Sequence, residues 1–253
     1  MSDRLRRRTV SGVRTPGVYS AARPRCGAQA AVSERLSRVN LGASPPLLYQ
    51  VALGGGAPPP PVEAWLSSSE MARANAFRYE HLRSRFVWCR AALREILGRR
   101  LDCLPARVAL RTTAMGRPFV AAAAFDFNVS HCEDLALIAV LPATRCVGVD
   151  VEQLVPLPDL MGLAGTVLTP REIAELPETG DAQLQAFYRF WTCKEAYLKA
   201  IGIGLSCEPR RIELSIADPT HPTLECAPDP RSFALTSFCP MPGFIAALAI
   251  SSG

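Results

Sequence analysis

Hydrophobic and polar positions divide this chain into short strand-like runs and two long helix-like ones. Residues 47–53 suit a first strand, and the Gly- and Pro-rich run 54–61 suits a loop. Over residues 69–100 the period is helical. Phe77, Phe86, Ala92, Leu93 and Leu97 form an apolar stripe, with arginines on the other side. Short strands are expected at 108–112 and 125–130, around a turn at Gly116-Arg117-Pro118, and apolar strands at 135–141 and 147–151.

The second half repeats this grammar. Thr169 can cap a helix, with Glu172 three residues on as in a capping box. A longer helix is expected over 181–201, stopping at Gly202, and strands at 212–216, 223–226, 233–238 and 244–250. Each half is a long helix plus a few strands. The expected fold is therefore α+β, with two similar α+β lobes in one chain, an N-terminal lobe over 46–148 and a C-terminal lobe over 149–253. No sequence repeat relates the halves. Residues 1–45 lack periodicity and read as a disordered basic extension.

Composition changes this picture at three points. At 49% hydrophobic residues over 253, the chain can bury a sizeable core. No apolar run reaches the length of a membrane span, because Pro142 and Arg145 break the best candidate, 135–149. The net charge of +5 is carried by the first 40 residues, whose nine arginines leave the remaining chain slightly acidic. Such a tail could touch nucleic acid or anionic lipid, but the near-neutral body argues against nucleic acid as the main partner. The nine cysteines are scattered singly without a CxxC pair, which points to free thiols in a cytoplasmic protein rather than a zinc site or disulfide framework.

The candidate chemistry lies in the second half. Asp150 and Glu152 stand two apart in a strand and project from one face, while Val147, Val149 and Val151 point into a core. Paired carboxylates repel unless a cation or partner neutralises them, and hard oxygen ligands suit Mg2+. Two solvated acids at a strand edge fit the same pattern. Glu195 and Lys199 share a helix face, either as a surface ion pair or as a third acid and a cation beside the first two. Lys194 and Lys199 are the only lysines, against 26 arginines. Ser130 and His131 end a strand and face opposite sides, so they do not form a nucleophile pair. Arg117 lies in a turn, and Arg73, Arg78, Arg83 and Arg85 line the first long helix. Arginine forks suit phosphate, and a solvated basic face is the alternative.

Taken in order, Gly116-Arg117-Pro118, Phe127-Asn128-Val129-Ser130-His131, the 147–152 segment, Trp191 to Lys199 and Gly202-Ile203-Gly204-Leu205 resemble the 4′-phosphopantetheinyl transferase superfamily, specifically its Sfp-like branch. The resemblance spans about residues 70–205. It implies an enzyme that moves phosphopantetheine from coenzyme A to a serine of an apo acyl or peptidyl carrier protein, releasing 3′,5′-ADP, with the ligand site between the lobes. By the same resemblance Asp150, Glu152 and Glu195 hold Mg2+, Glu195 helps deprotonate the serine, and Lys199 offsets charge on the leaving phosphate. Arg73, Arg85, Arg117 and His131 grip phosphates, with Ser130 assisting. The chain departs from the family pattern at Cys132, where serine or threonine is usual, and at Glu70, near an expected cation. A coenzyme A binder of the same fold without catalysis is the competing reading. The two lobes need one chain, so a monomer is expected, with no membrane association.

Overall fold

The computed structural model describes residues 27–42 and 46–252. The first half runs α1 (Gly27–Glu34), β1 (Leu36–Val39), β2 (Leu47–Ala52), α2 (Pro60–Glu63), α3 (Ser68–Asn75), α4 (Glu80–Leu101), β3 (Leu110–Thr112), β4 (Pro118–Val120), β5 (Phe125–Cys132) and β6 (Leu135–Pro142). The second runs β7 (Val147–Gln153), α5 (Leu160–Val167), α6 (Pro170–Ala174), α7 (Gly180–Ile201), β8 (Glu213–Ser215), β9 (Thr223–Cys226), β10 (Phe233–Phe238) and β11 (Phe244–Ser251).

Two antiparallel sheets, ordered β1-β2-β6-β5 and β10-β11-β7, stack face to face, each with a 22-residue helix on its outer side. Period-two alternation builds these layers. Ala136, Ile138 and Val140 of β6 face α4, while Leu135, Leu137 and Leu141 face the other sheet. Val147, Val149 and Val151 of β7 meet them in that inter-sheet core, along with Leu248 and Ile250 of β11. Ile245, Ala247 and Ala249 turn outward against α7. Burying each Leu, Ile or Val contributes roughly 1.5–3 kcal/mol, so this double-sided alternation fixes the register of both sheets. The helix-on-sheet pairs are the two expected α+β lobes. β7 begins at Val147, paired with Ile250, two residues before the expected start of the second lobe.

The sheets meet along an unusual seam between β5 and β7. Side chains of β5 accept hydrogen bonds from the backbone of β7: Asp126 from Val147 N–H at 2.9 Å, Asn128 from Val149 N–H at 2.9 Å, and Cys132 from Gln153 N–H at 3.3 Å. Polar side chains on one face of β5 thus replace a ladder, and Ser130 is the remaining member of that face.

On its other face β7 meets α7 at very close range. A Cβ on Gly148 would lie 1.9 Å from Ala196 O and 2.5 Å from Ala200 N. Only glycine lets the helix rest on the strand backbone. Gly148→Ala should therefore cost about 3 kcal/mol, the upper end for overpacking, read as a lower urea midpoint with an unchanged m-value.

Several expectations change here. Residues 27–42, assigned to the disordered extension, form α1 and β1. β1 pairs with β2, Ala28 and Val32 are buried, and Arg35 sits 3.9 Å over the Trp88 ring while donating to Ala52 O. Residues 1–26 and 43–45, with the tail's nucleic-acid contact, lie outside the described residues. The expected helix over 69–100 is two helices. A Ser67–Glu70 capping box starts α3, and extended backbone at Tyr79 separates it from α4. The stripe on α4 is also too narrow a description, since α4 is buried on most sides. Arg94, 2% exposed, is held there by Glu70 at 2.7 Å and by the carbonyls of Pro105 and Val108. That pairing accounts for an acid at position 70. The expected capping box of α6 is present, with Thr169 and Glu172 bonding reciprocally.

Candidate active site

β5, β7 and α7 converge at the seam and bring Ser130, His131, Asp150, Glu152, Glu195 and Lys199 together. Alternation on β7 turns Asp150 and Glu152 toward α7, on the side where Gly148 lets the helix approach. Helical spacing places Glu195 and Lys199 one turn apart on the facing side. Lys199 does not close an ion pair with Glu195. Its Nζ lies 2.6 Å from Asp150 Oδ1 and donates to Ser130 Oγ at 3.0 Å, and Ser130 Oγ donates to Asp150 Oδ1 at 2.9 Å. One carboxylate oxygen of Asp150 is thereby satisfied.

Two other acid oxygens are not. Asp150 Oδ2 and Glu195 Oε1 are buried without a hydrogen-bond partner. Burial first, and then the negative charge of Asp150, push the Glu195 carboxyl up to about 7. Glu152 is raised for the same two reasons, with the Trp191 indole N–H, 3.5 Å away, opposing weakly. Buried polar atoms left unpaired are rare and costly, and here they lie among mutually repelling acids. Among the described residues no group of three His, Cys, Asp or Glu side chains forms a ready-made metal cage. The donor set still fits a hard divalent cation such as Mg2+, which is held by one or two carboxylates with water and substrate phosphate completing its shell.

Cations gather around His131, next to Lys199. His131 has its pKa lowered first by loss of solvation and then by the charges of Lys199, Arg90 and Arg73. The residue is nonetheless exposed, so a ligand can reach it. Arg73 and Arg90 sit against the Phe86 ring at 5.2 and 5.5 Å, and neither has an ion pair among the described residues.

Two candidate phosphate ligands are engaged elsewhere. Arg85 is paired with Glu133 at 2.9 Å and Asp134 at 2.8 Å, so its charge is already compensated. Arg117 turns inward. Its Nη1 donates to Lys199 O and to Ala200 O, and its Nη2 reaches Asp126, Phe127 O and Val147 O. The turn at Gly116 (φ 82°) points this arginine at the end of α7 rather than at solvent. Lys194, neighbour of Glu195, is also no site residue. It is fully buried on a different face of α7, 2.6 Å from the equally buried Glu172.

Sequence reading passed over Arg90 and the acceptors of the seam. Signals for both exist. Arg90 stands four residues after Phe86, which places both on one helix face. Asp126, Asn128 and Ser130 alternate along β5 just as the acids alternate along β7.

Residues 146–248 match a family model described as the 4′-phosphopantetheinyl transferase superfamily, a span that includes Asp150, Glu152, Glu195 and Lys199. The 4′-phosphopantetheinyl transferase HetI of a Nostoc species is 41% identical over 194 residues, covering 74% of this chain and 79% of that one. A phosphopantetheinyl transferase of a Thraustochytrium species is 36% identical over 170 residues, 61% of this chain and 59% of that one. A holo-(acyl-carrier-protein) synthase from Bacillus anthracis, solved in complex with CoA, overlays 42% of this chain and 94% of its own, with a TM-score of 0.37 and 22% identity. With 41% identity maintained across most of the length of one such enzyme, this chain belongs to the 4′-phosphopantetheinyl transferase superfamily.

Proposed function

We propose that the protein transfers the 4′-phosphopantetheine group of coenzyme A to a serine of an apo acyl or peptidyl carrier protein. The carrying observation is the cluster of Asp150, Glu152 and Glu195, two of its oxygens buried and unpartnered, with cationic Lys199 bonded to Asp150 and the His131 ring lying between Lys199 and the cations Arg73 and Arg90. Acids that would hold a metal, next to a lysine and a group of arginines and a histidine, suit a metal-bound pyrophosphate.

In the reaction the serine Oγ–P bond forms, the pyrophosphate P–O bond breaks, and 3′,5′-ADP leaves. Glu195 accepts the serine proton, directly or through water. Burial and the charge of Asp150 raise this carboxyl in the metal-free protein, and a bound cation would offset that rise. Lys199, fixed by Ser130 and Asp150, is placed to offset charge on the leaving phosphate. Arg73, Arg90 and His131 bind the remaining phosphates, the 3′-phosphate included. Asp150, Glu152 and Glu195 are the residues that would hold Mg2+, which when bound screens the pyrophosphate and polarises the reacting phosphorus. Such chemistry depends mainly on positioning and charge stabilisation, which is what the seam provides.

The carrier docks beside the end of β7. Leu157 and Leu160 pack inward there, while Val155, Met161 and Leu163 remain exposed. The enzyme works as a monomer in the cytoplasm. The eight described cysteines are all free, and no helix among the described residues is long and apolar enough to cross a membrane.

Release of 3′,5′-ADP from coenzyme A tests this reading. Release should need both an apo carrier and Mg2+ and should stop with EDTA. Tight coenzyme A binding without release on any carrier would instead favour the non-catalytic binder.

A further inference from the structure

We infer that Arg117 is a positioning residue for Lys199, a clasp between the two lobes rather than a ligand of the substrate. The inference rests on the transferase reading above. Residue 199 is held at both ends. Its ammonium is fixed by Ser130 of β5 and Asp150 of β7, at 3.0 and 2.6 Å. Its carbonyl, with that of Ala200, accepts from Arg117 Nη1. Arg117 Nη2 completes the loop through Asp126 at 2.8 Å, Phe127 O at 3.2 Å and Val147 O at 3.0 Å. One guanidinium thus ties the last turn of α7 to the same two strands that hold the lysine's side chain.

Physical chemistry favours arginine for this task. The last carbonyls of a helix lack intrahelical partners and carry partial negative charge, which a cation stabilises. α7 ends at Gly202 in the left-handed conformation, φ 80°, so the chain turns away there. A planar fork can serve a helix end, a carboxylate and two strand carbonyls together, whereas an ammonium cannot match that geometry. Asp126 belongs to the clasp as well, because its carboxylate accepts both from Arg117 and from Val147 N–H. Without the clasp the last turn of α7 loosens, and Lys199 loses its fixed placement.

A double-mutant cycle between Arg117→Ala and Lys199→Ala tests this, with kcat and the KM for coenzyme A read for each protein. Arg117→Ala alone should lower kcat about 10- to 100-fold with the KM for coenzyme A changed less than about 3-fold. In the Lys199→Ala background the same substitution should cost almost nothing further in kcat. Asp126→Asn, a milder change that preserves an acceptor for Val147 N–H, should show the same split at roughly 3- to 10-fold, and it carries the test if Arg117→Ala does not fold. A KM rise of tenfold or more with kcat intact would make Arg117 a coenzyme A ligand and overturn the inference. Multiplicative losses in both backgrounds would reduce it to general scaffolding and overturn it equally. An inactive wild-type enzyme would instead count against the transferase reading itself.

Discussion

Glu195→Gln should nearly abolish transfer while making the metal-free protein more stable. Loss of a positioned proton acceptor typically costs about 10^2- to 10^4-fold in kcat. The stability gain follows from the same carboxyl. Folding raises its pKa from 4.5 to about 7, chiefly by burial and then by the charge of Asp150. Between those values the unfolded chain has already released the proton that the folded protein keeps. The folded state therefore loses stability as pH climbs from 4.5 to 7, and the penalty is constant above. A full shift of this size would correspond to about 3 kcal/mol, and partial exposure of the side chain reduces it to about 1–2 kcal/mol. Urea denaturation in EDTA should thus show Glu195→Gln more stable than wild type at pH 8 and equal to it near pH 4. With Mg2+ and coenzyme A added, the order should reverse, because ligands that bind only the folded state stabilise the wild type more. An active site that stores repulsion for a cation behaves in this way.

Lys194→Met should do the opposite, damaging stability and sparing chemistry. Lys194 Nζ is surrounded by Glu172 at 2.6 Å, Val167 O at 2.9 Å and Pro209 O at 3.1 Å, with no solvent reaching either charge. Glu172 in turn accepts from Leu214 N–H at 2.9 Å and Thr169 N–H at 2.7 Å, so the pair staples α7 to α6 and β8. Removing one partner of a buried pair strands the other charge and costs about 3–5 kcal/mol. Urea midpoints should fall accordingly, while kcat measured on the folded enzyme stays within a few-fold of wild type. Adding Glu172→Gln should recover part of the loss by removing the stranded charge. The chain's two lysines, five residues apart, would then separate cleanly into one that holds the fold and one that serves the reaction.

Much of this site is legible in the sequence because its spacing is local. Alternation places Asp150 and Glu152 on one strand face opposite three buried valines, and four-residue spacing places Glu195 with Lys199. The C-terminal end of α7 and the cap of α6 are written in Gly202, Thr169 and Glu172 for equally local reasons. What stayed hidden depends on partners distant in sequence. Arg94 and Lys194 look like surface cations until Glu70 and Glu172 are brought to them. Arg117 looks like a phosphate ligand until the end of α7, more than 80 residues away, takes its guanidinium. Strand β1 and helix α1 carry too few buried positions to show a period, Ala28 and Val32 in the helix and none fully buried in the strand. The break between α3 and α4 falls inside a continuous helical pattern, and the Phe77–Phe86 contact across it is tertiary.

The most direct measurement is the mass of an apo carrier protein after incubation with coenzyme A, Mg2+ and this enzyme, beside a matched Glu195→Gln reaction. The wild type should add one phosphopantetheine per carrier, and Glu195→Gln should add almost none over the same time. An unmodified carrier, when a reference transferase converts the same preparation, would contradict the assigned activity. Full conversion by Glu195→Gln at the wild-type rate would contradict the assigned site.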